Sequence, residues 1–275
     1  MRKLRMVRIL VAAFFLTAVT LCFLDFTGAA ARWFGWTAKL QLMPAALALS
    51  VVAAAVVAVT LVFGRVYCSM VCPLGILQDV AVFFRRLFGF KFRPASHDGV
   101  AVLVRRIVRL STAAIFFAGG FLGLHFTWLE PYAIYGRMSA ALAAPLVRLG
   151  NNRLALWAER QGSDMFCAVE VAMPPLCIAV LSVAMLLLIV ALALWRGRLW
   201  CNTVCPVGAV LGFVSRFSIF KPAIDPARCV KCRLCEKACK ARCIDVAHGT
   251  IDRSSCVACF DCGAACGKGA LTWSR

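Results

Sequence analysis

The chain has 275 residues, 63% of them hydrophobic, with a mean hydropathy of +0.86 and a net charge of +19. That apolar fraction excludes an ordinary soluble domain, and long uncharged apolar runs point to a membrane protein. In a soluble protein such a positive charge would suggest nucleic acid. Here Lys and Arg collecting in loops on one side of a bilayer accounts for it, and no nucleic-acid partner is expected.

Arg2, Lys3, Arg5 and Arg8 precede an apolar run from about Ile9 to Leu24. Ala29-Ala30-Ala31 offers a signal cleavage site, but the run is long for a signal core, which favours a retained first span. Either way the N-terminal charges start in the cytoplasm. Residues 25–40 read as a short outer loop whose Trp33 and Trp36 suit an interface belt. A second span is predicted from about Leu42 to Phe63, ending at Gly64-Arg65-Val66-Tyr67-Cys68-Ser69-Met70-Val71-Cys72-Pro73-Leu74-Gly75. Apolar positions at Leu74, Leu77, Val80, Ala81, Phe84, Leu87 and Phe88 then recur at helical spacing. With Pro73 in the first turn, they predict an amphipathic helix lying on the inner face. A basic linker carrying Lys91, Arg93, Arg105, Arg106 and Arg109 follows.

The third span is predicted at about Leu110 to Trp128. Between Glu130 and Met173 four acids (Glu130, Glu159, Asp164, Glu170) balance four arginines (Arg137, Arg148, Arg153, Arg160), which marks an outer loop. Within it, Ser139 to Leu149 reads as a short interfacial helix. The fourth span runs from about Pro174 to Trp195, and Gly197-Arg198-Leu199-Trp200-Cys201-Asn202-Thr203-Val204-Cys205-Pro206-Val207-Gly208 follows it. The earlier pattern, Gly-Arg-x-aromatic-Cys-x3-Cys-Pro-x-Gly, has returned. The chain therefore repeats a unit of two spans, a motif and a surface helix, and both motifs face the same side, as parallel repeats do.

Lys221-Pro222 opens into a cysteine-rich tail: Cys229-x2-Cys232-x2-Cys235-x3-Cys239, then Cys256-x2-Cys259-x2-Cys262-x3-Cys266. Three thiolates two residues apart wrap one face of a cubane, and the fourth points to the other cluster. Cys229, Cys232, Cys235 and Cys266 are thus expected to hold one [4Fe–4S] cluster, and Cys256, Cys259, Cys262 and Cys239 a second. Cys243 is an alternative to Cys239, which has the expected spacing. Zinc sites take four ligands per ion, usually across longer loops, and fit two runs of three close cysteines poorly. Four spans and an inner N-terminus put the tail in the reducing cytoplasm, where disulfides are disfavoured. The tail resembles a bacterial two-cluster ferredoxin, departing from it at Lys240 and Gly267, where that motif has Pro.

The Cys-x3-Cys-Pro pairs bring Cys68, Cys72, Cys201 and Cys205 to one membrane face. They read as ligands to a metal or a third cluster, as redox-active thiols, or as small packing residues at helix ends. Arg65 and Arg198 either stabilise thiolate charge there or anchor the inner side. On these two motifs, the span order and the tail, the chain resembles the NapH/NosR/CcoG-type membrane-bound polyferredoxins. That resemblance implies electron transfer between the quinone pool, cytoplasmic clusters and a partner reductase or maturation system.

The remaining signals are thin. His97, His125 and His248 are the only histidines, too few inside the membrane to ligate a haem there. Glu130-Pro131-Tyr132 beside Trp128 suits a quinone pocket or, more simply, an aromatic belt. Cys22, Cys167 and Cys177 have no pairing pattern, and no nucleotide-binding or nucleophile motif occurs.

The expected architecture is a mostly α membrane protein with four transmembrane helices in two pseudo-repeats. Residues 1–221 form the membrane domain, with motifs at 68–73 and 201–206, and residues 222–275 a small α+β ferredoxin-like domain with two [4Fe–4S] clusters. The expected function is electron relay between cytoplasmic clusters and the quinone pool or a membrane or periplasmic partner. The rival readings are a metal-ion or quinone reductase and a redox-sensing maturation or regulatory factor, acting through Cys68, Cys72, Cys201 and Cys205. The expected soluble partner is a ferredoxin, flavodoxin or flavoprotein, steered by Lys231, Arg233, Lys237, Lys240 and Arg242. Both termini are expected on the cytoplasmic side of the inner membrane.

Overall fold

The structure, a computed structural model, describes residues 1–42, 51–89, 99–121, 129–162 and 166–274. Helix α1 (Arg2–Leu24) leads into the short helices α2 (Ala29–Phe34) and α3 (Trp36–Lys39). Next come α4 (Val51–Phe63), α5 (Tyr67–Met70), α6 (Pro73–Leu87) and α7 (Gly99–Phe121). A near-continuous helical stretch follows as α8 (Pro131–Met138), a π turn (Ser139–Ala143) and α9 (Ala144–Arg160). After α10 (Leu176–Arg196), α11 (Leu199–Thr203) and α12 (Pro206–Val214), the tail folds around α13 (Leu234–Ala238) and α14 (Asp261–Ala265). Strand β1 (Lys221–Ile224) pairs antiparallel with β4 (Leu271–Ser274), and β2 (Ile244–Asp245) with β3 (Thr250–Ile251).

Among the described residues, two helices are long and apolar enough to cross a bilayer, α1 and α10. α10 leaves Leu176, Val180, Leu187 and Leu194 exposed, a lipid-suited surface rather than a water-suited one. The chain is a mostly helical membrane protein. Part of the predicted second span (43–50) and part of the third (122–128, with His125 and Trp128) lie outside the described residues, as do Lys91, Arg93 and His97 of the basic loop and Asp164.

Three elements differ from the sequence expectation. α7 begins at Gly99, so Arg109 belongs to a helix rather than a linker, and it is buried against the tail. α6 does not turn its polar side to water. Gln78 and Asp79 are buried while Phe83, Phe84, Leu87 and Phe88 are exposed. The reason is electrostatic: Asp79 is held inside by Arg8, Arg198 and Lys240, alongside the buried Leu74, Ile76 and Val82 of the same helix. Finally, the helix predicted at Ser139–Leu149 extends from Pro131 to Arg160, started by Glu130, whose carboxylate accepts from the Tyr132 and Ala133 amides.

One contiguous core joins Val19 of α1, Ile189 of α10, both cysteine motifs and the tail residues Ile244, Val257 and Leu271. The tail is therefore packed onto the helices rather than tethered to them. Backbone bonds seal the seam: the Ile219 and Phe220 amides donate to the Leu61 and Val62 carbonyls at 2.8 and 2.9 Å, and the Arg198 amide to the Lys240 carbonyl at 3.0 Å.

Candidate iron–sulfur centres

The repeated glycines, prolines and arginines of the motif each have a mechanical role. Gly64 and Gly197 carry φ of +79° and +73°, ending α4 and α10 in a conformation that favours glycine. Pro73 and Pro206 start α6 and α12, where no amide hydrogen is needed. Gly75 and Gly208 lie so close to the carbonyl oxygens of Cys68 and Cys201 that a Cβ at either position would collide with them. The arginines cross over. Arg65 of the first motif donates to the Cys201 carbonyl at 3.1 Å and to Asn202 Oδ1 at 2.8 Å in the second. Arg198 of the second donates to the Cys68 carbonyl at 2.6 Å in the first. Each half is thus locked by the other's arginine, and both guanidinium groups are fully buried.

This exchange brings Cys68, Cys72, Cys201 and Cys205 together, each only 3–4% exposed. Gln78 Nε2 lies 3.1 Å from Cys201 Sγ, Arg65 Nη2 lies 3.9 Å from Cys68 Sγ, and the Gly208 amide lies 3.4 Å from Cys205 Sγ. Burial pushes Cys72 and Cys205 well above the usual thiol value, and the neighbouring sulfurs of the quartet add to that rise. Such depth suits an internal centre and leaves no open face for a bulky substrate.

In the tail, the two cysteine runs share one backbone form. Lys231 and Arg233 in the first run and Ala258 and Phe260 in the second all have positive φ, at matching positions. Four non-glycine residues in that region, in register, are a constraint retained for function. They turn each run around its three cysteines. Cys239, Cys243, Cys256, Cys259 and Cys262 line a single interior cavity roofed by Trp273 and Ile251. Cys229 and Cys266 are half-buried, Cys235 is buried and Cys232 is exposed, so the first group sits at the surface. Cys243 lies 3.5 Å from Cys239. Donation by the Cys243 thiol lowers the pKa of Cys239 and of Cys256, while its own is raised. Among the described residues, no group of three or more His, Cys, Asp or Glu side chains is set for a single metal ion. Two runs of three closely spaced cysteines suit cubane ligation better than the four-ligand site of a zinc ion.

The tail is fastened where the inner cysteine group begins and ends. Ser254, two residues before Cys256, has its carbonyl bonded by Arg65 at 2.9 Å and by Arg109 at 3.2 Å. Lys240, next to Cys239, bridges Asp79 at 3.3 Å and Asp261 at 3.1 Å. Burial lowers the Lys240 pKa to about 8 even with Asp261 opposing it. Burial also pushes Asp261 up, but Lys240, Arg5 and Arg86 outweigh it and hold the carboxylate below its usual value. From the sequence, Arg5 and Arg8 are expected only as N-terminal charges on the cytoplasmic side; their ion pairs with Asp261 and Asp79 join residues far apart in the chain. His248 is exposed beside Asp245, and Cys167 and Cys177 are exposed thiols without a partner cysteine.

The profile of a 4Fe–4S binding domain matches this chain twice, over residues 45–91 and 178–224. An uncharacterized protein of Methanocaldococcus jannaschii is 26% identical over 278 residues, covering the whole chain and 94% of its own length. Another from that organism is 47% identical over 75 residues, 27% of this chain and 30% of that protein. The ferredoxin-type protein NapH of Haemophilus influenzae is 25% identical over 233 residues, 82% of this chain and 65% of NapH. No solved structure matches. The two profile matches indicate two [4Fe–4S] clusters, and over most of its length the chain is similar to ferredoxin-type proteins. The chain is similar to the ferredoxin-type NapH proteins, at 25–26% identity over 72–82% of its length. Both profile matches end before Cys229 and cover only the Cys-x3-Cys-Pro halves, two cysteines each.

Proposed function

We propose that this protein carries electrons between an acidic soluble carrier and a quinone in the membrane, through two clusters in a C-terminal domain of residues 222–275. Cys229, Cys232, Cys235 and Cys266 hold the outer cluster, and Cys239, Cys256, Cys259 and Cys262 the inner one. Cys243 acts as a thiol donor to its neighbours rather than as a ligand. The observation that carries this reading is the polarity of the tail. Its enclosed cysteine group is bolted to the membrane helices, while its other group opens at the exposed Cys232.

Around Cys232 the exposed Val230 and Leu234 form an apolar centre, and Arg228, Lys231, Arg233 and Lys237 are exposed beside them. A basic rim about an apolar contact suits a small acidic ferredoxin or flavodoxin, which it steers electrostatically. On the membrane side, a groove of about 710 Å³ lies between α6 and α10, lined by Leu77, Phe84, Val190, Leu194 and Trp195. Its apolar lining supports an isoprenoid quinone there better than at Glu130-Pro131-Tyr132, where Glu130 serves as a helix cap. The four-span topology, with the 1–221 domain in the inner membrane and both termini cytoplasmic, is part of the same proposal. The ion pair of Arg5 with Asp261 supports a retained first helix whose start lies beside the tail.

The test uses the full chain in lipid nanodiscs, made without air. A reduced acidic ferredoxin should reduce the tail clusters, seen by EPR, and a short-chain quinone should reoxidise them. The triple variant Lys231→Glu/Arg233→Glu/Lys237→Glu should slow the first step at least about tenfold at low salt and leave the second unchanged. Equal rates of ferredoxin reduction in both proteins would refute the docking face. Clusters that stay reduced in the presence of quinone would refute the membrane half.

A further inference from the structure

We propose that Cys68, Cys72, Cys201 and Cys205 together hold a third [4Fe–4S] cluster, built half from each repeat and lying next to the inner tail cluster. It extends the electron-transfer reading but does not depend on which tail cysteines are ligands.

Charge balance is the first ground. Arg65 is fully buried, and its hydrogen-bond partners are the Asn202 amide oxygen, the carbonyls of Cys201 and Ser254, and Cys68 Sγ. None is a carboxylate, and Nε has no partner. A buried cation without a counter-ion is strongly disfavoured. The groups at hand to supply negative charge are the sulfurs. Arg198, also fully buried, shares the carboxylate of Asp79 with Arg8 and Lys240, and its Nη2 has no partner either. The surroundings thus carry more buried positive charge than their carboxylates neutralise, as four cluster-bound thiolates require.

The direction of the dipoles is the second ground. α6, of 15 residues, and α12, of 9, begin immediately after Cys72 and Cys205. Both N-termini therefore abut the quartet, where helix dipoles and free amides favour negative charge. The Gly208 amide already points at Cys205 Sγ, and Gln78 adds a donor to Cys201 Sγ. Every polar group named here offers a proton or a positive charge to sulfur.

Ligand count is the third. Cys68, Cys72, Cys201 and Cys205 are all buried, each 3–4% exposed, where the two motifs meet, and a cubane takes four thiolates. Each 4Fe–4S profile match contains only two cysteines of this kind, so a complete ligand set needs both halves, and the crossed arginines hold those halves together. Arg65 and Asn202, which tie the motifs together, also bond Ser254 and Ala241 of the tail. The quartet therefore abuts the segments flanking Cys239 and Cys256.

Iron and acid-labile sulfide counts on the anaerobically purified full chain test this. The wild type should hold about twelve of each, and Cys68→Ser/Cys201→Ser should lose about four while the tail EPR signals persist. Cys256→Ser/Cys259→Ser should lose about four from the tail and keep the quartet's, which separates failure of this inference from failure of the tail reading. About eight irons that remain eight in Cys68→Ser/Cys201→Ser would overturn it, and so would one zinc or copper per chain that disappears with that variant. Should the variant fail to accumulate, native mass spectrometry of the wild type decides between the mass of three clusters and that of two.

Discussion

Asp79 is the strongest mechanical prediction in the structure. Its carboxylate takes Arg198 Nε at 2.7 Å, Lys240 Nζ at 3.3 Å and the Arg8 guanidinium, and only 7% of its side chain is exposed. Those three cations come from the second motif, the tail and α1, so one carboxylate on α6 ties four segments together. Asp79→Asn keeps the shape and one acceptor oxygen but removes the charge, leaving the buried Arg8 and Arg198 without their carboxylate and Lys240 with Asp261 alone. Breaking a buried ion pair costs about 3–5 kcal/mol, a large part of a typical total of about 5–15 kcal/mol. At about 1.4 kcal/mol per tenfold, the open population should rise at least about a hundredfold. Limited trypsin digestion in nanodiscs reads that population when opening and closing outpace cleavage. Cuts near Arg216, Lys221 and Arg228 should accelerate by that factor. Asp225→Asn is the control: its pair with Arg228 is well exposed, worth about 0–1 kcal/mol, and should change cleavage by less than about fivefold. If Asp79→Asn is cut no faster than Asp225→Asn, the tail is not held by buried charge and the reasoning fails.

Two further outcomes follow from local geometry. Gly208→Ala should abolish stable accumulation in the membrane, because the new Cβ drives into the Cys201 carbonyl and comes within 3.0 Å of Arg65 Nη2. Gly150→Ala, in α9 with open space around it, should accumulate normally and gain up to about 1 kcal/mol in thermal stability. Similar immunoblot levels of the two would refute the close-approach argument. Cys239→Ser should lose about four irons and Cys243→Ser fewer than one, since Cys243 is read as a donor beside the inner cluster. Equal losses in iron assays would make Cys243 a ligand.

The chain alone determined the class of protein. Apolar runs require a membrane, and two C-x2-C-x2-C-x3-C runs require iron–sulfur chemistry, because ligand spacing is a local property carried by consecutive residues. The end of α10 near Trp195 and the internal repeat were legible for the same reason: each follows from a pattern within a short window. What only the folded structure decided is what depends on pairs far apart in the chain. Arg65 meets Cys201, Arg198 meets Cys68 and Asp79 meets Arg8, contacts between segments whose separation leaves no trace in local periodicity. The burial of Asp79 on α6 was illegible for that reason: Phe83, Phe84, Leu87 and Phe88 point outward, as on a helix at a membrane interface, while Asp79 turns inward to its cations. A charged residue goes where its partner is, and no window of neighbouring residues contains that partner.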